Sequence, residues 1–270
     1  MSYSWQNKIC LVTGASSGLG LAIARSLASH GANVLLNART RATLEQAADL
    51  LSATGGSVVA LPGDVTSQAD VESLAREVEQ RFGGLDLLCN CAGRSTRGEV
   101  LDTTTANFQE LWEVNFLSVV RMTRAFAPML IERSGHLVNI GSLAGKVAPR
   151  YLGAYPASKF ALSAYSQQLR LELGPAGLHV LLVCPGPIKR DDAGERYAEK
   201  SVGIPDDAQQ PGAGAKLRGI DPDWLAERIL TACEGRHSEL VVPWKVRWLL
   251  ALAQLSPSWG DWLLKKATSG

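Results

Sequence analysis

The sequence predicts an α/β fold, a doubly wound parallel sheet with helices on both faces. Three observations carry this reading. Short runs of apolar residues without polar alternation recur along the chain, the pattern of strands buried on both faces. Amphipathic stretches at helical spacing separate them, giving repeated β-α-β order with short connections. The first such junction, from Thr13 to Gly20, is a glycine-rich turn between a strand and a helix.

Residues 8–12 (Lys-Ile-Cys-Leu-Val) form the first expected strand and residues 19–27 the first helix. In the turn between them, Gly14, Gly18 and Gly20 remove Cβ atoms where the chain must bend sharply and let a ligand approach the backbone. The unpaired N–H groups and the dipole of the helix's first turn favour an anion, so the turn predicts a dinucleotide phosphate there. Further strands are expected at 33–38, 57–61, 85–90, 136–140, 179–184 and 239–242. Helices are expected at 41–53, 67–82, 106–115, 116–133, 156–173 and 222–234, the last with Asp221 as N-cap and Pro222 in first position. From 187 to about 219 the chain is polar and carries Gly and Pro, with only weak helical signal at 195–200. A loop that long in a compact domain is usually functional or disordered, and here it is assigned to the substrate side.

The 270 residues suit one α/β domain with a large core. Hydrophobic content of 46% and charged content of 20% are those of an ordinary globular protein. The 27 basic and 26 acidic residues nearly cancel, which gives no reason to expect a nucleic-acid partner. Residues 1–7 have no long apolar stretch of the signal-peptide kind. No segment offers about 18 consecutive apolar residues for a membrane span. Among the five cysteines, Cys89-Asn-Cys91 lacks the two-residue gap of zinc and redox motifs, so no metal is expected. The thiols read as reduced, as in a cytoplasmic protein.

Tyr155-Pro-Ala-Ser-Lys159 opens the helix after the fifth strand. Positions i and i+4 share a helix face, so the phenol and the ammonium can reach one pocket. A phenol titrates at about pH 10, and a nearby cation stabilises the phenolate and makes proton transfer accessible. That spacing alone is weak, but its company is specific. Gly14-x-x-x-Gly18-x-Gly20, Asn90-x-Ala92-Gly93, Asn115, Ser142, Tyr155-x-x-x-Lys159 and Pro185-Gly186 resemble the short-chain dehydrogenase/reductase family in content, order and spacing. The resemblance covers about residues 8–190 and goes with a single Rossmann-type sheet of strand order 3-2-1-4-5-6-7.

The resemblance implies roles for these residues. Tyr155 exchanges a proton with the substrate oxygen as hydride passes between substrate and nicotinamide. Lys159 lowers the tyrosine pKa and bonds the nicotinamide ribose, Ser142 holds the substrate oxygen, and Asn115 links Lys159 to a water relay. Asn90, Ala92 and Gly93 border the cofactor at the end of the fourth strand, and Asp64 with Val65 meets the adenine. Ser16, Ser17, Leu19, Pro185, Gly186 and Ile188 complete the cofactor's wall. Taken singly, Ser142 and Asp64 are also what helix caps look like, and Asn115 what a helix breaker looks like.

The end of the second strand chooses the cofactor. An acidic side chain there binds the ribose 2′-hydroxyl of NAD, whereas arginine accommodates the 2′-phosphate of NADP. This chain has Ala38 at the acidic position and then Arg39, so NADP(H) is expected over NAD(H). Two departures from the family pattern stand out. Pro156 follows the tyrosine directly and places Tyr155 at the helix entrance rather than inside it, and Arg190 stands where threonine is frequent.

Four of the seven tryptophans lie at the end of the chain: Trp244, Trp248, Trp259 and Trp262. Residues 1–243 are read as the catalytic domain and 244–270 as a helical extension. It packs on the domain or a second subunit, or lies on a membrane with its indoles at headgroup level. The expected function is an NADP-dependent oxidoreductase interconverting an alcohol and a carbonyl of a small molecule, in the reducing direction. It is expected in the cytoplasm as a homodimer or homotetramer, with peripheral membrane contact as an open alternative. A cofactor-binding regulatory protein with little turnover, or a membrane-surface enzyme on lipid-like substrates, are the other readings.

Overall fold

The computed structural model describes residues 3–52, 57–189 and 217–268. Seven parallel strands form one sheet in the order β3-β2-β1-β4-β5-β6-β7, as the sequence predicts. They are β1 Ile9–Thr13, β2 Asn33–Asn37, β3 Ser57–Ala60, β4 Leu87–Asn90, β5 His136–Ile140, β6 His179–Pro185 and β7 Glu239–Val242. The helices between and after them are α1 Gly18–Ser29, α2 Arg41–Ser52, α3 Gln68–Phe82, α4 Thr105–Trp112, α5 Ser118–Glu132 and α6 Tyr155–Leu173. They continue with α7 Pro222–Glu234, α8 Val246–Leu255 and α9 Pro257–Thr268.

Every residue of β1, β4, β5 and β6 is buried, which explains the missing polar alternation. Successive side chains point to opposite faces and build two apolar layers. Cys10, Val12, Val34, Leu36, Cys89 and Val138 belong to the layer shared with α1, α2 and α7. Leu11, Leu35, Leu88, Leu137 and Val180 belong to the layer shared with α3, α5 and α6. Cys10 and Cys89 are fully buried free thiols, and burial pushes both well above the ordinary thiol range. They act as small hydrophobes.

The two helices expected at 106–115 and 116–133 are one run, in which α4 and α5 meet through a π-helical turn, Glu113–Leu117. Such turns insert one residue into a helix and are frequent at functional sites. The run Thr105–Glu132 reaches mean hydropathy 1.2, which by length and composition would suffice to cross a bilayer. Here it is a core helix, packed against α3, α6, β4 and β5. Arg190 and the weak helical signal at 195–200 lie outside the described residues.

The N-terminal end of the sheet carries a polar knot. The Asp86 carboxylate accepts from the Ile9 N–H and from Lys8 Nζ at 2.9 Å each, and from Arg133 at 3.1 Å. Burial opposes its charge, but the Ile9 bond and the two cations outweigh it and hold the carboxyl below its usual range. Beside it the imidazoles of His136 and His179 meet Nδ1 to Nδ1 at 2.8 Å, and His179 Nε2 lies 2.8 Å from the His237 carbonyl. Burial pushes His136 down to about 3, and the neighbouring His179 adds to the shift.

Candidate active site

A cleft of about 680 Å³ opens at the carboxyl ends of the strands, where a doubly wound sheet places its ligands. Its floor is the turn from β1 to α1. Gly14 has φ +65°, and a Cβ on it would lie 2.9 Å from the Ala92 Cα. A Cβ on Gly20 would lie 2.3 Å from the Gly14 carbonyl oxygen, so only glycine lets the first turn of α1 close on the loop. Thr13 ties this turn to the end of β4: its Oγ1 accepts from the N–H groups of Cys91 and Ala92, both at 3.0 Å. Ser17, the N-cap of α1, makes no side-chain cap bond, and the first turn contains no acidic residue. That donor set suits a phosphate.

At the end of β2, Ala38 and the exposed Arg39 line the same cleft. Asn37 is buried and donates its amide to the carbonyls of Leu61 at 3.0 Å and Gly63 at 3.3 Å, fixing the β2 and β3 ends together. Asp64 lines the cleft with Val65. It is also a turn cap, because its Oδ1 accepts from the N–H and hydroxyl of Thr66, both at 2.8 Å.

The chemical end of the cleft is built by β5 and α6. Tyr155 is the first residue of α6 and Pro156 the second, where the missing N–H would have had no helical partner. The tyrosine therefore stands at the helix entrance, as Pro156 predicts. One turn on, Lys159 Nζ lies 5.9 Å from the centre of the Tyr155 ring and donates to the Ile140 carbonyl at 2.7 Å. Burial strips water from this ammonium and lowers its pKa to about 8, with Cys91 and Cys184 pulling weakly the other way. Ser142 opens the short 3₁₀ turn Leu143–Gly145, accepting from the Ala144 N–H at 3.1 Å while its hydroxyl stays available to donate. It is a cap and a cleft residue at once.

The predicted residues Gly14, Ser16, Ser17, Leu19, Gly20, Arg39, Asp64, Val65, Ala92 and Gly93 meet in this cleft. So do Ser142, Tyr155, Lys159, Pro185, Gly186 and Ile188. Three stand back from its wall. Gly18, with φ +55°, shapes the turn instead. Asn90 does not border the cleft: it is buried and donates to Asn139 Oδ1 at 3.0 Å, because its side chain points into the interior. Asn115 is fully buried in the π turn. Its amide donates to the Arg94 carbonyl at 2.8 Å and Ser158 Oγ at 3.0 Å, and its oxygen accepts from the Arg94 N–H at 2.9 Å. It is linked to the α6 turn between Tyr155 and Lys159 through Ser158, whose hydroxyl donates to the Tyr155 carbonyl at 2.7 Å.

Sequence reasoning missed Thr13, Ser158 and Asn139 as organisers; Arg97, buried, also lines the cleft. The expected loop contributes Pro187, Ile188 and Leu217 to the wall, and α8 and α9 contribute Val246, Leu249, Leu250, Ala253, Gly260 and Leu264.

Residues 8–201 match the family described as short chain dehydrogenase. The chain is 32% identical over 259 residues to the ketoacyl reductase HetN of Nostoc sp., covering 93% of this chain and 86% of that protein. The fold superposes on an L-sorbose reductase of Gluconobacter frateurii, solved with NADPH and L-sorbose, with TM-score 0.79 and 27% identity over 90% of this chain and 97% of that one. It also superposes on a Burkholderia phymatum protein solved with NAD, with TM-score 0.82 and 24% identity over 95% and 96% of the two chains, a likeness of fold.

Proposed function

The chain belongs to the short-chain dehydrogenase/reductase family, and on that premise we propose that it is an NADP(H)-dependent oxidoreductase reducing a small-molecule carbonyl to an alcohol. The observation that carries the reading is Tyr155 and Lys159 on one turn of α6, lining with Ser142 the cleft that begins at the α1 turn. When bound, the nicotinamide supplies the hydride. Gly14, Gly20 and the open first turn of α1 would receive the diphosphate, and Arg39 the 2′-phosphate, since no carboxylate stands at Ala38 to repel it. Ser142 donates to the substrate oxygen and Tyr155 passes its proton to that oxygen. The Lys159 ammonium stabilises the phenolate left behind.

Residues 1–243 serve as the catalytic domain in this reading, and the family resemblance supports a cytoplasmic homo-oligomer. The test is NADPH oxidation with a panel of ketones, aldehydes, steroids and sugars. Tyr155→Phe should lose about 10²- to 10⁴-fold in kcat while still binding NADPH. Tight NADPH binding by the unaltered protein without turnover of any of the panel would instead identify a regulatory protein of the same fold.

A further inference from the structure

The two sides of α8 face different surroundings. Val246, Leu249, Leu250 and Ala253, at spacing i, i+3, i+4 and i+7, line the cleft that holds Tyr155. Trp244, just before the helix, and Trp248, Leu252 and Leu255 are exposed, from 44% for Leu252 to 76% for Leu255, while Leu249, at the rim of the cleft, is 46% exposed. The next helix, α9, repeats the division. Gly260 and Leu264 line the cleft, while Trp259 and Trp262 are 62% and 59% exposed. A Cβ on Gly260 would lie 3.1 Å from the Ala253 carbonyl oxygen, so the two helices are pressed together as one hairpin.

Charge singles out the same segment. Residues 244–270 hold four basic residues (Lys245, Arg247, Lys265, Lys266) and one acid (Asp261), a net +3. The remaining chain, with 23 basic and 25 acidic residues by difference from 27 and 26, is −2. Lys266 lies over the Trp262 ring at 5.2 Å, a cation beside an indole at the exposed surface. Indoles flanked by cations are what a helix lying at a bilayer's headgroup level presents. At 10 residues α8 is about 15 Å long, half the hydrocarbon thickness, so it can lie in the interface and cannot span it. A two-fold dimer through this face would set +3 against +3, whereas anionic headgroups complement it.

We propose that α8 and α9 form an interfacial hairpin that seats the mouth of the cleft on an anionic lipid surface. Its substrate would be a carbonyl or alcohol borne on an apolar chain and drawn from that surface. The chain would run along Leu143, Val147, Leu152, Leu250 and Leu264 toward Ser142 and Tyr155. The substrate half rests on the oxidoreductase reading above; the anchoring half does not.

Flotation of the full chain with vesicles of equal parts phosphatidylcholine and phosphatidylglycerol tests the anchor without any turnover. Binding with a blue-shifted tryptophan emission is expected. Trp248→Ser and Trp262→Ser should each weaken it about tenfold, and Lys265→Gln with Lys266→Gln by ~fivefold per lysine. Circular dichroism and thermal midpoint should stay unchanged. Absence of binding overturns the anchor. So does a dimer in gel filtration that Trp248→Ser dissociates, because the face is then a protein interface. For the substrate half, the vesicles should raise turnover of a long-chain methyl ketone and leave that of a short soluble ketone as it was. Equal rates with and without vesicles overturn this half. Vesicle binding with neither ketone reduced, while members of the wider carbonyl panel are turned over, also overturns this half and leaves the reductase reading and the anchor standing. No turnover of the whole panel overturns the reductase reading with it.

Discussion

A methyl group on Gly93 would lie 2.9 Å from the carboxamide oxygen of Asn115. That oxygen already accepts the Arg94 N–H, and the same side chain reaches Ser158 on the turn between Tyr155 and Lys159. Gly93→Ala should therefore push Asn115 back and shift the start of α6. The expected loss in kcat is about 10- to 100-fold, the usual result of small misplacement in a reacting site, with a thermal midpoint lower by only a few degrees. Undiminished kcat in steady-state assays would mean that the Asn115 bridge does not hold the tyrosine.

Arg39 is exposed at the end of β2 beside Ala38, and no carboxylate competes with it there. Arg39→Asp should lower kcat/KM for NADPH about 100-fold and reverse the preference between NADPH and NADH. Steady-state kinetics with both cofactors decide the matter. An unaltered preference counts against a 2′-phosphate contact at Arg39.

Lys159 has its ammonium pKa lowered to about 8 by burial, so the cation is present below that pH and fades above it. Carbonyl reduction should fall as pH rises through about 8, because the neutral amine no longer stabilises the phenolate. Lys159→Met cannot titrate there; it should be slower by about 100-fold and lose the inflection. A rate profile that stays level well into the ordinary lysine range would remove Lys159's charge from the mechanism.

Acid should unfold the protein from the opposite end of the sheet. His136 is buried and held neutral, with a pKa of about 3 when folded against about 6.5 unfolded. The unfolded chain binds the extra proton, so the stability due to this group is complete above about pH 6.5 and drains away as pH falls toward 3. The loss is on the order of 4–5 kcal/mol by about pH 3. His136→Gln, neutral throughout, should show a shallower fall of denaturant midpoint between pH 6 and 4, read by circular dichroism. A slope equal to that of the unaltered protein would sink this account.

Much of the fold was legible because its signals are local. The glycine turn, the buried apolar runs and the i, i+4 pair of Tyr155 and Lys159 each depend on neighbours within a few residues. Pro156 even indicated that the tyrosine begins its helix. What escaped depends on contacts between segments distant in sequence. Thr13 reads as one more residue of a turn until β4 brings the Cys91 and Ala92 N–H groups to it. Asn90 was read as a cofactor neighbour, yet its side chain meets Asn139 inside the fold, a direction that only pairing with β5 fixes. The π turn at Asn115 leaves no mark in composition, since α and π turns use the same residue types. In the last segment the tryptophans were plain, but the side of α8 that meets the cleft follows from its tertiary placement.

The Asp86 and His136 knot and the Lys159 cleft occupy opposite ends of the same strands: β5 begins at His136 and ends at Ile140, whose carbonyl receives Lys159. The molecule thus keeps its foundation and its workshop apart. Replacing the histidine pair with well-packed apolar residues is the place to harden the protein against acid and heat. Turnover should be indifferent to such changes, because neither histidine lines the cleft. An engineer, or a lineage under selection, can then rework one end while the other keeps its geometry.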